Sequence, residues 1–478
     1  MPKPLPLTVA QLTDLVAEYG TPLQIYSEQG IRQQASSLHE AFRKHGFDSF
    51  KEYFAVKALP NPAVLLSLTR DGGCGLDCSS TGELWIADKV GCKDVMYTSN
   101  YTSKEDLKKA VIQKVIINLD DASLVDSLKE TCEENRLPFP ELMCFRLNPG
   151  TGNTASETAS NLLGGPSAKF GVPPEQIEEA YRKAKQYGAR RFGIHMMTGS
   201  CVLDEEYWAL TVSKLLETLK SLREKLSIEF EFVNIGGGIG IPYQPGKAEV
   251  DLNNVASIVA RAFQKAFGAD KAKWPRLYME NGRFITGPYG WLVTRCHAVK
   301  SSFGTRYYGV DATMANLMRP GMYGSYHHIT VPEAELRGEP VELANVVGTL
   351  CENNDWFAKD RHLPRSRPGD LFVIHDTGAH GHSMGFQYNA KLRAPEVMID
   401  MKGTPQLIRE REVIQDLFAN TILPDSIRGN LPRRLAVRPA QLIDGLTVQQ
   451  QIGFVSTSLV VAGAIAYLIC RVCDNRNK

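Results

Sequence analysis

A lysine closes the apolar run of "YFAVKALPNP" (residues 53–62), and Pro60 and Pro62 bar any continuation of a central strand. Tyr53, Ala55 and Lys57 share one strand parity, so Lys57 points into whatever cavity the strand end opens on. Such a lysine either snorkels to water or is buried, and burial lowers a lysine pKa by up to ~3–5 units, leaving a nucleophilic amine. Further along, "FVNIGGGIGIPY" sets Gly236, Gly237 and Gly238 directly after a strand. Three glycines let backbone N–H groups turn towards an anion such as a phosphate. The run matches neither the dinucleotide fingerprint nor a P-loop, because Ile241 stands at the third glycine and no Lys-Ser/Thr follows. "YMENGRFITGP" places Glu280 and Arg283 at another strand end, "HMMTGS" supplies His195 and Ser200, and "GTLCENNDWF" sets Cys351 beside Glu352. Taken singly, each has an ordinary reading: a tight turn, a surface ion pair, a structural histidine, a cysteine acting as a small hydrophobe.

The elements that carry these residues repeat. From about 36 to 284, short apolar segments ("EYFAVK", "GLDCS", "DVMYTS", "KVIINL", "LMCFRLN", "FGIHMM", "FEFVNIG", "RLYMEN") alternate with helix-periodic ones such as "SKEDLKKAVI" and "PEQIEEAYRKAKQYG". About eight βα units over some 250 residues predict a closed (β/α)8 barrel, with a doubly wound sheet as the alternative. In a barrel, functional residues gather at the C-terminal strand ends, where the residues above lie. Residues 1–35 read as a helix and a short strand packing with the later β domain. Residues 285–423 are strand-rich ("WLVTRCHAVK", "TRYYGVD", "VELANVVGTLCE", "DLFVIHD", "APEVMID") and predict that separate β domain, followed by a linker over 424–451.

The 478 residues suffice for two or three domains. With 54 basic and 53 acidic side chains, the net charge of +1 provides no field for nucleic acid. The 10 cysteines are scattered. Cys74/Cys78 and Cys470/Cys473 are close pairs that lack the partners of a zinc site, so no metal is expected. No export or organelle signal is evident in "MPKPLPLTVA", and a reducing, cytoplasmic setting is expected.

The order of the motifs carries more than any one of them. A lysine after the first barrel strand, then "HMMTGS", "GGGIG", "ENGR", "CEN" and "DTGAHG", resembles the fold type III enzymes that use pyridoxal phosphate (PLP). Across residues 20–420 the chain resembles the diaminopimelate decarboxylase family, with further matches in "GLDCSSTGEL", "SAKFGV", "VDATMANLMRPGMYGSYHHI" and "YNAKLRAPEV". The resemblance implies an α/β fold, a (β/α)8 PLP barrel with a mostly β C-terminal domain. It also implies PLP-dependent decarboxylation of meso-2,6-diaminopimelate to L-lysine, and a homodimer with shared active sites. Lys57 would hold PLP covalently, the glycine run and Ser200 its phosphate, and Glu280 the pyridine nitrogen; Asp77 matches a position near the cofactor. Arg283, Arg319 and Tyr323 would grip the distal carboxylate and Glu352 the distal ammonium. Cys351 would help protonate the reacting carbon, in the partner subunit's site.

Two departures stand out. The family's ring-stacking histidine is Met197 here, with His195 two residues earlier on the same strand face. The phosphate-binding tyrosine is His380, which can still donate a hydrogen bond. Competing readings are a decarboxylase of ornithine or arginine, whose substrates lack a distal carboxylate, a racemase on the same fold, and an inactive regulatory homologue, which should have lost the lysine. Outside the resemblance, "GFVSTSLVVAGAIAYLIC" (453–470) carries no charge. As a helix it would span roughly 27 Å at ~1.5 Å per residue, and with its neighbours over 452–472 it predicts a C-terminal membrane anchor.

Overall fold

The computed structural model describes residues 2–150 and 163–434. These fall into two compact units, one ending at Arg411 and one beginning at Glu412. In the first unit a helix over Val9–Tyr19, opened by a Thr8–Gln11 capping box, leads into β1 (Leu23–Ser27). A second helix, Glu28–Lys44, then leads into the barrel.

Eight parallel strands close on themselves: β2 (Lys51–Ala55), β3 (Gly75–Cys78), β4 (Val95–Thr98), β5 (Ile116–Leu119), β6 (Leu142–Leu147), β7 (Arg191–Met196), β8 (Phe230–Asn234) and β9 (Arg276–Met279). The barrel shuts where Lys51 pairs with Tyr278 and Glu52 with Met279, which excludes the doubly wound alternative. Every strand coincides with one of the apolar segments read from sequence, and the two helix-periodic stretches form helices Lys104–Gln113 and Pro174–Gln186.

The barrel floor explains how the mouth is loaded. Tyr53, Met96, Cys144, Phe232 and Tyr278 form one buried cluster inside the barrel. Two glycines make room for the rings. A Cβ on Gly75 would lie 2.6 Å from Tyr53, and one on Gly193 would lie 2.0 Å from Phe232. Burying each such aromatic side chain contributes about 1.5–3 kcal/mol. Since side chains alternate along a strand, the residue two positions beyond each floor residue, or beyond Gly75 and Gly193, points inward at the C-terminal end. Those positions include Asp77, Thr98, Arg146, His195, Asn234 and Glu280.

The β domain is a nine-stranded sheet. It adds β10 (Gly290–Ser302), β11 (Thr305–Val310), β12 (Ile329–Thr330), β13 (Val341–Val347), β14 (Trp356–Pro364), β15 (Leu371–Ile374), β16 (Glu396–Ile399) and β17 (Pro405–Arg409) to β1. β1 lies between β10, antiparallel, and β16, parallel. Three of these strands, β12, β14 and β17, were not anticipated. Sheet pairing ends at Arg409, short of the expected domain end at 423. The second unit holds helices Ile414–Phe418 and Asp425–Arg428, the latter inside the expected linker. No helix among the described residues is long and apolar enough to cross a membrane, and the expected anchor at 452–472 lies outside them.

Candidate active site

Lys57 lies in a 3-10 turn, Val56–Ala58, one step past the end of β2. It is exposed, which matches the reading of a strand-end lysine that reaches water. The β domain covers the turn from above. The Ala58 carbonyl accepts from the His380 backbone N–H at 2.9 Å and from the Ser383 hydroxyl at 3.2 Å. Lys57 therefore sits at the barrel mouth under a loop of the other domain.

Beside it, the inward-pointing polar residues form a charged network. Glu280 is buried, and its carboxylate accepts from His195 Nε2 at 3.1 Å and Asn234 Nδ2 at 2.7 Å. Burial alone would raise this carboxyl, but His195, Lys57 and Asn234 together hold it below the ordinary carboxylate range. Asp77 goes the other way. Burial first, and then the Glu280 charge, push it well above that range, against the pull of Lys57 and Thr98. The two carboxyls are thus driven in opposite directions, Glu280 towards the anion and Asp77 towards the protonated form. Arg146, at the end of β6, stands among Glu280, Asp120 and Asp77, and donates to the Met197 and Leu163 carbonyls at 3.2 and 3.3 Å.

The ordinary reading of Glu280 and Arg283 as a surface ion pair does not hold, since Glu280 pairs with His195 and Arg283 turns elsewhere. His195 reaches the Glu280 carboxylate from within the barrel. Met197, just past β7, sits against the glycine run, its sulfur 3.1 Å from the Gly237 N–H.

The glycine run is built for close approach. Gly236 and Gly238 adopt φ +68° and +100°, in the left-handed region that favours glycine. Gly237 has no such angle, but a Cβ there would meet the Glu280 carbonyl oxygen at 1.9 Å. The loop is tied down on two sides. Ile239 N–H donates to Asn281 Oδ1 at 3.2 Å, and Val202, two residues after Ser200, donates to the Gly238 carbonyl at 2.8 Å. Asn281 is clamped in turn by the buried Glu52 carboxyl, through its backbone and its amide.

A second cluster holds two arginines. Arg283 and Arg319 each donate from Nη1 to the Tyr243 hydroxyl oxygen, both at 2.7 Å. Arg319 also donates to Ser325 Oγ at 3.2 Å and to His327 Nε2 at 3.3 Å. His327 Nδ1 donates to the His375 carbonyl at 2.9 Å, which fixes the tautomer that can accept from Arg319. Burial, followed by the Arg319 charge, holds the His327 imidazole well below its ordinary value, so it stays neutral. Neither arginine has a carboxylate partner among the described residues. A buried arginine such as Arg319 is rarely left unpaired in this way. Tyr323 lies close enough to Arg283 to interact with its charge. His380 is in the field of Arg283, Arg319 and Lys57. Burial and those cations keep its imidazole neutral, and its own φ of +57° is held by the bond to Ala58.

Cys351 and Glu352 stand apart. Both are exposed, on the segment after β13, and Cys351 N–H donates to Asn389 Oδ1 at 2.7 Å. The reading of Cys351 as a buried small hydrophobe does not hold.

The residues present fit PLP. A lysine, an anionic carboxylate, a glycine cradle that a Cβ would fill, and cationic groups beside His380 converge on one mouth. Two buried polar atoms there, Asp77 Oδ1 and His195 Nδ1, have no partner of their own. Sequence reasoning missed Arg146, Asn234 and Tyr243. The signals were a charged residue inside an apolar strand ("MCFRL"), an asparagine just before the glycines, and a tyrosine just after them.

Comparison with known proteins agrees with this geometry. Residues 28–287 match the family described as the pyridoxal-dependent decarboxylases, pyridoxal binding domain. The chain is 37% identical to diaminopimelate decarboxylase of Methanothermobacter thermautotrophicus, over 90% of this chain and 96% of that one. It is 40% identical to protein TabA of Pseudomonas amygdali pv. tabaci, over 85% and 92%. The crystal structure of M. jannaschii diaminopimelate decarboxylase in complex with L-lysine superposes with a TM-score of 0.80 at 31% identity, covering 87% of this chain and 95% of that one. A barrel whose mouth combines Lys57, Glu280 and the glycine run, together with relatives that span nearly its whole length, makes this chain a member of the diaminopimelate decarboxylase family of PLP-dependent decarboxylases.

Proposed function

We propose that this chain decarboxylates meso-2,6-diaminopimelate to L-lysine and CO2, with PLP as cofactor. The observation that carries the reading is the pair Arg283 and Arg319, side by side on one hydroxyl oxygen and without a carboxylate of their own. A substrate whose far end bears a carboxylate supplies the missing partner. Ornithine and arginine have no carboxylate there, which disfavours them.

The geometry supports the following roles for the chain's residues. Lys57 would hold the cofactor, and the glycine run with Ser200 and neutral His380 would receive its phosphate. Bound PLP supplies an electron sink for the carbon that loses CO2. Glu280, bonded to His195 and Asn234 and held below the ordinary carboxylate range, would keep a proton on the cofactor's ring nitrogen. Asp77, its carboxyl pushed up by burial and the Glu280 charge, would stand near the cofactor beside Lys57. Met197 fills the wall where an imidazole is usual and brings dispersion contact in place of a ring face.

Two more roles belong to the assembled enzyme. Cys351 and Glu352 are exposed and are bonded to Asn389 and their own loop, which suits residues that complete a second copy's site. Cys351 would deliver a proton to the reacting carbon and Glu352 would bind the distal ammonium, in a cytoplasmic homodimer. The apolar tail over 453–470 would tether that enzyme to a membrane, so full-length protein should pellet with membranes and a chain ending at Leu423 should not. The central test is CO2 release from meso-diaminopimelate, ornithine and arginine in parallel. Turnover of the first alone is expected, and comparable turnover of ornithine rejects the substrate assignment.

A further inference from the structure

We infer that Tyr243 is a positioning residue that sets the substrate's distal-carboxylate preference; the inference rests on the substrate reading above. Two guanidiniums side by side repel, and something must hold them. The Tyr243 hydroxyl oxygen does so by accepting from both at 2.7 Å. The ring contributes as well. The Arg319 guanidinium carbon lies 4.9 Å from the ring centroid and that of Arg283 5.9 Å, which draws both cations to the same aromatic surface. The ring itself is fixed by His327, packed edge-on with centroids 4.9 Å apart.

This arrangement has a chemical consequence. A phenol oxygen has two acceptor lone pairs, and both are engaged by the arginines. What remains to Tyr243 is a hydroxyl proton, so the cluster presents donors only. Among the described residues, the other groups hydrogen-bonded to Arg319 add no anion, since Ser325 and His327 are neutral acceptors. Donors without an acceptor select a carboxylate and disfavour an amine or a guanidine. Tyr243 reaches the reaction through the two arginines and needs no contact with the reacting carbon.

The test uses the PLP-loaded enzyme and two competitive ligands that differ by one carboxylate: L-lysine, and cadaverine, which is lysine without it. Wild type is expected to bind L-lysine more tightly. Tyr243→Phe keeps the ring and removes the shared oxygen, leaving the arginines free to separate. L-lysine affinity should fall about 10–100-fold while cadaverine affinity and the visible cofactor absorbance stay unchanged. For meso-diaminopimelate the loss should appear mainly in KM. A merely structural tyrosine would weaken both ligands together. Wild type that prefers lysine, with a variant that keeps the same preference, overturns the role of Tyr243 alone. Wild type that binds the two ligands equally overturns the distal-carboxylate reading, and this inference with it.

Discussion

Gly237→Ala is a one-methyl change whose consequence follows from distances. The added Cβ would lie 1.9 Å from the Glu280 carbonyl oxygen and 2.6 Å from its carbon, while Cβ contacts essentially never fall below 3.0 Å. The first contact is therefore short by about 1 Å. Both atoms belong to backbone, so no side-chain rotation relieves the clash. Either the glycine run lifts away from the end of β9, or the 279–281 segment moves, and Glu280 leaves His195 and Asn234. Overpacking of this kind costs about 1–3 kcal/mol, equivalent to roughly 10–100-fold if it falls on cofactor binding. Titration of apo-enzyme with PLP, followed by visible absorbance, should show weaker binding by that factor, and thermal denaturation should show a lower Tm. Gly82→Ala is the control. It lies on an exposed helical turn whose nearest atom is the Ser80 hydroxyl at 3.7 Å, and it should stabilise by about 0.4–1 kcal/mol. Wild-type PLP affinity and Tm in Gly237→Ala would refute the argument that the run and Glu280 are packed backbone to backbone.

Three further expectations are testable. Lys57→Ala should lose the visible cofactor band and turnover together; a variant that keeps both shows that the cofactor is held elsewhere. Arg319→Met should lower kcat/KM for meso-diaminopimelate by about 100-fold or more and leave the PLP absorbance intact, since it removes a charge-assisted contact from a buried site; an unchanged KM argues against the arginine pair as the distal subsite. His382 is buried, and its imidazole is pushed down to about 4, chiefly by burial, so the native state stays neutral while the unfolded chain takes up a proton below about 6.5. Stability from this group is full above pH 6.5 and is lost as pH falls towards 4, by about 2 kcal/mol between pH 7 and 5. Denaturant melts of wild type and His382→Gln at both pH values should differ in slope by that amount, and parallel curves would contradict the assignment.

The sequence by itself determined the barrel and the kind of chemistry. Alternation of apolar segments with helical ones located all eight barrel strands, because a parallel strand buried on both faces must be continuously apolar. The order of Lys57, the glycine run, Glu280 and Cys351 pointed to the family. Local pattern failed where a strand owes its existence to its neighbour. β12 has two residues, and β14 and β17 are polar strands at or near sheet edges, formed by pairing with β13 and β16. Tertiary structure alone decided which polar groups meet. His195 and Glu280 are 85 residues apart, Tyr243 and Arg319 76, and His380 is bonded to the turn of Lys57 from another domain. No spacing in the chain encodes such meetings. They follow from barrel closure, which brings β2 beside β9, and from strand parity, which turns Asp77, Arg146, His195, Asn234 and Glu280 into one mouth. The protonation of that mouth is likewise a property of the fold. Burial raises Asp77, while His195, Lys57 and Asn234 overcome the same burial at Glu280, so two carboxyls of similar chemistry are driven in opposite directions.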